Sequence, residues 1–127
     1  MNCTSKVIID SYPGALYQVM TNLMMNSVSH GFKGREYGHV NISLSSVKES
    51  VKIIYRDDGI GISAENLGNI FEPFFTTGKV DGNTGLGLYI VSGLIQTTLG
   101  GSIVCESSLG NGCMITILFP KIAPDEA

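Results

Sequence analysis

Two asparagines four residues apart, Asn22 and Asn26, stand within residues 13–30, whose apolar residues recur at helical spacing. This spacing places both side chains on one face of a helix. Because the Asn side chain competes for backbone hydrogen bonds, it is a mediocre helix former, and a pair of them indicates a specific role. Their amide oxygens could line a pocket that holds a hard cation or phosphate-bound water. The alternative is a pair of buried amides satisfied by neighbouring backbone groups.

A second candidate site is the sequence RDDGIGI, in which Asp57, Gly59 and Gly61 form an Asp-x-Gly-x-Gly pattern. A carboxylate at the base of a pocket can accept a hydrogen bond from an exocyclic amine, such as that of adenine. The glycines would let a flat base lie against the backbone. The alternative is an ordinary turn, since Asp-Gly is a common turn dipeptide.

Two further segments could bind or enclose a ligand. The sequence IFEPFFTTG is too apolar for a free loop, and Phe71 and Phe74 could anchor one end of a mobile lid or form a satellite hydrophobic cluster. In GNTGLGLYIV, Gly85 and Gly87 precede an apolar run. Free N–H groups at a helix start, together with the helix dipole, favour phosphate.

The hydrophobic periodicity predicts the elements that position these residues. It predicts a strand over residues 6–10, a helix over 13–30 that ends near Gly31, and a hairpin over 38–59 with its turn near 48–50. A short helix capped by Ser63, an aperiodic loop over 76–85, a helix over 86–99 and a second hairpin across residues 109–112 follow. Two long helices and about five strands, mostly in hairpins, indicate an α+β two-layer sandwich in one domain.

Composition excludes several classes of protein. The chain has 127 residues, of which 43% are apolar, so a sizeable core is expected and disorder is not. A net charge of −3 without a basic block argues against nucleic-acid binding. The sequence shows no 18-residue apolar stretch and no signal peptide. Because Cys3, Cys105 and Cys113 lack metal-ligand spacing, we expect reduced thiols in a cytosolic protein.

The order of the four segments resembles the ATP-binding catalytic domain of sensor histidine kinases. That domain belongs to a superfamily that also includes gyrase, the Hsp90 chaperones and the MutL mismatch-repair proteins. QVMTNLMMNSVSHGF is similar to its N box, DDGIGI to its first glycine box, IFEPFFTT to its F box and NTGLGLYIV to its second glycine box. LGNGCMITILFP is similar to its closing glycine hairpin. The resemblance covers residues 13–120.

The resemblance implies the Bergerat fold, a mixed and mainly antiparallel sheet of about five strands covered on one face by about three helices. ATP would lie between the helices under a flexible lid at residues 76–84. Asn26 would bind Mg²⁺ through its side-chain oxygen, with Asn22 one turn earlier in the same box, and Asp57 would recognise the adenine amine. The other nucleotide-binding positions that the resemblance implies are His30, Gly59, Gly61, Ile62, Phe71, Phe74, Thr84, Gly85, Leu86, Gly87 and Leu88.

The implied activity is transfer of the γ-phosphoryl group of Mg-ATP to a histidine. ATP-hydrolysing members of the superfamily use a Glu in the N box to activate water. An amide such as that of Asn22 cannot take a proton at neutral pH, so water activation is disfavoured here. Two alternatives remain: a serine kinase of the anti-sigma-factor type, and a regulatory module that binds ATP or ADP without turnover.

The partners follow from the position of the histidines. His30 belongs to the N box and His39 opens a strand, so we expect the phosphoacceptor on a dimerisation domain outside this chain. The whole protein is expected to be a homodimeric, membrane-anchored receptor with a response regulator downstream. This domain itself is expected to be cytoplasmic, with no direct membrane contact.

The sequence also departs from the family pattern around the phosphates. The positions that depart are Ser29 in place of a basic residue, Gly78 in place of Lys, Asn83 in place of Gly and Cys113 in place of Thr. We therefore hypothesise that Lys33, Arg35 or Lys79 supplies the phosphate charge.

Overall fold

The computed structural model of the chain describes residues 9–73 and 87–123, and every structural statement below concerns these residues. The first helix, α1, spans Pro13–Asn26, with its proline in the first turn, where a missing N–H costs nothing. A π-helical turn, Ser27–Gly31, continues α1 without a break. The prediction of one long helix that ends near Gly31 is confirmed. π-Helical turns are rare and are frequent at functional sites.

Four strands form a single antiparallel sheet in the order β1-β2-β4-β3. They are β1 (Val40–Val47), β2 (Ser50–Asp57), β3 (Ser102–Ser107) and β4 (Cys113–Pro120). Both predicted hairpins are confirmed, and the chain returns from β1 to β2 through Lys48, whose φ is 57°. The second hairpin pairs β3 with β4, and β4 lies against β2 at the centre of the sheet.

The predicted first strand, residues 6–10, lies mostly outside the described part of the chain. Its described portion forms one isolated parallel bridge, between Asp10 and Ile122. The described sheet therefore has four strands rather than about five. The bridge is the parallel element in an otherwise antiparallel arrangement, and it places the start of the described chain beside the end of β4.

Two further helices complete the described structure. The short helix α2 spans Ala64–Leu67, and Ser63 caps its start. The Ser63 side chain accepts a hydrogen bond from the Asn66 N–H, as predicted for a cap. The helix α3, Gly87–Gly93, continues as a π-helical turn, Leu94–Thr98. This matches the predicted helix over residues 86–99. None of the helices in residues 9–73 and 87–123 has the length and hydropathy needed to cross a membrane.

The core lies between one face of the sheet and the helices. Burial alternates along β2 and β4, as expected for strands with one covered face. The two largest fully buried side chains are Tyr55 and Phe119. The remaining core residues are Val19, Leu23, Val51, Ile53, Ile70, Leu88, Val91, Ile95, Leu99, Ile115 and Ile117.

Candidate functional site

The helix α1 and the π-helical turn that continues it contact both of the glycine-containing segments. The Asn22 side-chain amide lies 3.5 Å from the Gly87 carbonyl oxygen at the start of α3. Five residues later, the Ser27 hydroxyl donates a 2.7 Å hydrogen bond to Asp57 at the end of β2. Asn26 is half-buried and lies between these two contacts along the helix. The first helix, together with its π-helical turn, therefore connects the start of α3 with the end of β2.

The Asp57 carboxylate is held at both of its oxygens. Its Oδ2 accepts the Ser27 hydrogen bond, and its Oδ1 accepts a 3.1 Å bond from the Gly59 N–H. An ionised carboxylate offers about four lone-pair positions. Asp57 therefore retains acceptor capacity after both contacts, at a half-buried position whose orientation is fixed.

Ser27, which the sequence analysis did not single out, is the buried polar side chain of this region, with 3% of its surface exposed. Its Oγ lies 2.7 Å from the hydroxyl of Tyr55, and that hydroxyl also donates to the Leu23 carbonyl at 3.2 Å. Because the single Ser27 proton goes to Asp57, the one proton of the Tyr55 hydroxyl is shared between Ser27 Oγ and the more distant Leu23 carbonyl. A chain of hydrogen bonds thus runs from the core tyrosine to Asp57.

The surroundings of this chain of hydrogen bonds favour the neutral form of Tyr55. Burial, and to a smaller degree the negative charge of Asp57, raises the pKa of Tyr55, although the hydrogen bond between Tyr55 and Ser27 opposes the shift. The Tyr55 hydroxyl therefore stays a proton donor. The signal that could have identified Ser27 is its place directly after Asn26, with Tyr55 two residues before Asp57 on the same face of β2.

The glycines that follow Asp57 are required by close backbone approach. A Cβ at Gly59 would lie 2.5 Å from the Gly31 carbonyl oxygen, and the next residue, Ile60, donates its N–H to that oxygen at 2.9 Å. Gly61 has a φ of +81°, which other residues rarely adopt. The end of the first helix and the end of β2 are therefore in direct backbone contact.

The same segment is fixed to the second hairpin. The Ile62 N–H donates to the Ser107 hydroxyl at 2.8 Å, and that hydroxyl donates to the Gly112 carbonyl at 2.5 Å. The Gly110 N–H donates to the Ile60 carbonyl at 2.8 Å. Ser107, at the end of β3, is a second positioning residue that the sequence analysis missed, because the contact depends on the register between the two hairpins.

The other predicted site residues differ in how the structure places them. His30 is half-buried in the π-helical turn, Phe71 packs at the edge of the core, and Leu88 is a core residue with 8% of its surface exposed. The remaining predicted positions lie outside the described residues: Phe74, Gly78, Lys79, Asn83, Thr84, Gly85 and Leu86, together with the predicted lid over residues 76–84.

Arg35, one of the three candidates for a phosphate-binding cation, is engaged with Asp58. Its guanidinium donates to the Asp58 carbonyl at 2.8 Å and lies 3.4 Å from the Asp58 carboxylate, over the ring of Phe32. The backbone N–H of His39 binds the same carboxylate at 2.9 Å. This contact, followed by that of the His39 ring, lowers the pKa of Asp58. Asp58 therefore secures the connection between the first helix and β1, and Lys33 is exposed nearby.

Residues 12–123 match the protein family described as histidine kinase-, DNA gyrase B-, and HSP90-like ATPase. The chain belongs to this family. It is 40% identical to the sensor histidine kinase ZraS of Klebsiella oxytoca, over 88% of this chain and 23% of that protein. It is 34% identical to the sensor kinase CckA of Brucella abortus, over 89% of this chain and 13% of that protein. The chain thus spans less than a quarter of the length of these relatives.

Solved structures place the chain among the catalytic domains of histidine kinases. It superposes on the catalytic domain of histidine kinase ThkA with a TM-score of 0.76 at 30% identity, covering 90% of this chain and 71% of that one. Full-length ShkA, solved in complex with AMPPNP, gives a TM-score of 0.70 at 30% identity over 90% of this chain and 23% of that chain. The predicted family and fold class are therefore confirmed, and they support an ATP-binding domain of the sensor-kinase type.

Proposed function

We propose that this domain binds Mg-ATP and transfers its γ-phosphoryl group to a histidine on the dimerisation domain of a two-component sensor kinase. The observation that carries the proposal is that the first helix and its π-helical turn contact Gly87 through Asn22 and Asp57 through Ser27. A nucleotide lying along Asn22, Asn26 and Asp57 would meet a carboxylate acceptor at its base and the start of α3 at its phosphates. The relatives that are sensor kinases, and ShkA with its AMPPNP, support the same function.

Asp57 is the proposed reader of the adenine amine. It accepts hydrogen bonds but donates none when ionised, so it favours a base that presents a donor at that position. Adenine presents an amine there, and guanine presents an acceptor. Because Ser27 and the Gly59 N–H hold both oxygens in place, the acceptor direction is preorganised and little freedom is lost on binding. Gly59 and Gly61 form the flat surface beside it.

Asn26 is the proposed protein ligand of Mg²⁺, through its side-chain oxygen. In the described parts of the chain no three His, Cys, Asp or Glu side chains are grouped as a metal site would require. A single neutral amide fits Mg²⁺ that arrives with a nucleotide, because this ion keeps waters and phosphate oxygens as most of its ligands. The ion would supply neutralisation of phosphate charge.

The chemistry left to the protein is positioning. Phosphoryl transfer needs an in-line arrangement and stabilisation of charge more than it needs covalent help. A neutral imidazole is already a nucleophile, so the acceptor histidine needs no general base. Asn22 cannot act as one, and this argues for transfer to an acceptor rather than hydrolysis. Binding of ATP or ADP without turnover, and transfer to a serine, are the competing outcomes.

The test compares Asn26→Ala with Asn41→Ala, an exposed asparagine on the edge strand β1. Titration calorimetry with ATP, with and without MgCl₂, should show that Asn26→Ala abolishes the magnesium-dependent part of the affinity. The loss should reach several kcal/mol, because the ion that neutralises the phosphate charge would lose its protein ligand. Asn41→Ala should bind as the unaltered chain does. Equal Mg-ATP affinity in the two variants would refute the metal assignment.

The transfer step needs a separate experiment. The chain is incubated with [γ-³²P]ATP, Mg²⁺ and the dimerisation domain of its own full-length protein. Acid-labile, base-stable label on that domain is the expected result. Acid-stable phosphoserine would instead indicate the serine kinase, and tight ATP binding with no label at all would indicate the regulatory module.

A further inference from the structure

Two cysteines that are eight residues apart in the sequence meet across the second hairpin. The Sγ atoms of Cys105 on β3 and Cys113 on β4 lie 3.3 Å apart. Both thiols are free and half-buried, and both side chains pack against the core. Their spacing in the sequence does not resemble a metal site, and the register of the hairpin alone brings them together.

The register also places this pair beside the candidate adenine site. In the β2–β4 pairing, Cys113 is directly opposite Asp57. Residues directly opposite each other in antiparallel strands present their side chains on the same face of the sheet. In the β3–β4 pairing, Cys105 is opposite Ile115, so the two cysteines are diagonal neighbours. Asp57, Cys113 and Cys105 thus follow one another across three strands on the helix-covered face.

We propose that Cys105 and Cys113 form a reversible redox site that takes a low-molecular-weight disulfide as its oxidant and weakens nucleotide binding when it closes. The Cys105 thiolate attacks one sulfur of glutathione disulfide, and one glutathione thiolate leaves. The Cys113 thiolate then attacks the Cys105 sulfur of the mixed disulfide and expels the second glutathione. The two thiol protons go to the two departing thiolates, so the protein loses two electrons and glutathione disulfide gains them.

The surroundings of the two thiols favour this order of attack. The hydrogen bond from Cys113 lowers the pKa of the Cys105 thiol. The same contact and burial raise the pKa of Cys113. The thiolate is the attacking form of cysteine, so Cys105 is the residue prepared to react first. Cys113 lies within contact distance to resolve the mixed disulfide.

Formation of the disulfide should displace Asp57 through a movement of β4. The sulfurs must close from 3.3 Å to about 2.05 Å. Diagonal neighbours in a sheet have Cα atoms roughly 7–8 Å apart, whereas disulfides usually span about 4.4–6.8 Å. Closing the bond therefore draws β3 and β4 together at Cys113, the direct neighbour of Asp57. A bond that requires such adjustment is also easily reduced, so the change is reversible.

The experiment uses the chain with Cys3→Ser, which removes the third thiol. The protein is titrated with oxidised glutathione and its intact mass is measured. The expected product lacks two hydrogens and carries no glutathione. Proteolysis after Glu106, which lies between the two cysteines, should then give two peptides joined by the new bond. Cys105→Ser in the same background is the matched control and should not form the internal bond.

Nucleotide binding is measured on the same samples, because the effect on binding depends on the proposed function. Oxidised Cys3→Ser protein should bind ATP about tenfold more weakly than reduced protein, with recovery in dithiothreitol. Cys105→Ser should bind equally well before and after oxidant. A product with two glutathiones, or no reaction, would overturn the redox site. A closed bond with unchanged affinity would overturn its coupling to the nucleotide, and absence of ATP binding by the reduced protein would count against the proposed function instead.

Discussion

Asp57 and Asp58 are consecutive carboxylates at the end of β2, and the structure gives them opposite surroundings. Asp57 faces the helices and accepts hydrogen bonds from Ser27 and from the Gly59 N–H. Asp58 faces solvent and binds Arg35 and His39 in the connection before β1. The strand alternation separates them, because successive side chains point to opposite faces. One carboxylate is preorganised with spare acceptor capacity, whereas the other closes a surface network.

The difference shows how a site can be distinguished from a surface ion pair. Asp58 has the cationic guanidinium of Arg35 as a partner, and exposed pairs of this kind contribute little stability. Asp57 has neutral donors that fix its direction without cancelling its charge. A fixed, uncancelled charge next to required glycines is suited to recognising a ligand, and we therefore assign the adenine contact to Asp57 and not to its neighbour.

Among the substitutions that test the contrast between the two carboxylates, Asp57→Asn should give the largest effect on nucleotide binding. The amide keeps an oxygen for the Gly59 N–H, and the Ser27 hydroxyl can turn to accept from the new NH₂ group, so the fold should persist. A donor would then face the adenine amine, at a cost of about 1–3 kcal/mol in binding. Calorimetric titration with ATP and GTP should show that the preference for ATP falls sharply.

Asp58→Asn is the matched control, since it also replaces one carboxylate oxygen with an NH₂ group, at the neighbouring residue. It should leave ATP affinity and the ATP/GTP preference unchanged. If Asp57→Asn preserved the preference, or if both variants lost it equally, the distinction between the two carboxylates would be wrong.

Ser27→Ala sharpens the comparison by removing the donor that holds Asp57 while leaving the carboxylate itself. The change also leaves the Tyr55 hydroxyl with the Leu23 carbonyl as its partner. We expect a loss of about 1 kcal/mol in the free energy of unfolding, and a smaller reduction in ATP affinity than Asp57→Asn causes. Urea unfolding and ATP titration measure the two effects. Ser29→Ala, two residues later in the same turn, should change stability by less than about 0.5 kcal/mol.

More of the fold than of the candidate site could be predicted from the sequence. Helical and alternating periodicity identified α1, both hairpins and α3, because each pattern depends on neighbours along the chain. Asn22, Asn26 and Asp57 were singled out by residue type within those patterns. The sequence did not predict the roles of Ser27 and Ser107 or the contact between Cys105 and Cys113. Each of these depends on which residues of separate elements become neighbours. Strand register and helix placement decide which residues become neighbours. The π-helical turn after α1 also changes the direction of the side chains from Ser27 onward.

Tyr55→Phe tests the buried hydroxyl of the hydrogen-bond chain through the pH dependence of the protein's stability. The pKa of Tyr55 is raised in the fold, above its ordinary value of 10.0. The stability linked to its proton is therefore complete below pH 10 and is lost as pH rises towards the folded-state pKa. Wild-type protein should be more stable than Tyr55→Phe at pH 7, by about 1 kcal/mol, and this advantage should shrink above pH 10.

Chemical unfolding across this range, followed by circular dichroism, measures the effect. Tyr17→Phe is the control, because Tyr17 is 73% exposed and should give a curve parallel to wild type at every pH. An advantage of wild type that stays constant above pH 10 would show that the hydroxyl of Tyr55 is not held neutral by its surroundings.

The smallest expected effect is that of Asp58→Asn on stability at acidic pH. Its pKa is lowered, first by the His39 backbone N–H and then by the His39 ring. A lowered carboxyl pKa means that the linked stability is present above the ordinary carboxyl range and is lost as pH falls through the folded-state value. Asp58→Asn should therefore be slightly less stable than wild type at pH 7, and the difference should shrink as the pH falls below the ordinary carboxyl range. Because the group is exposed, molar salt should also reduce the difference at pH 7. A difference that neither shrank with falling pH nor responded to salt would mean that Asp58 acts through the shape of its backbone turn and not through its charge, which would remove the electrostatic half of the contrast with Asp57.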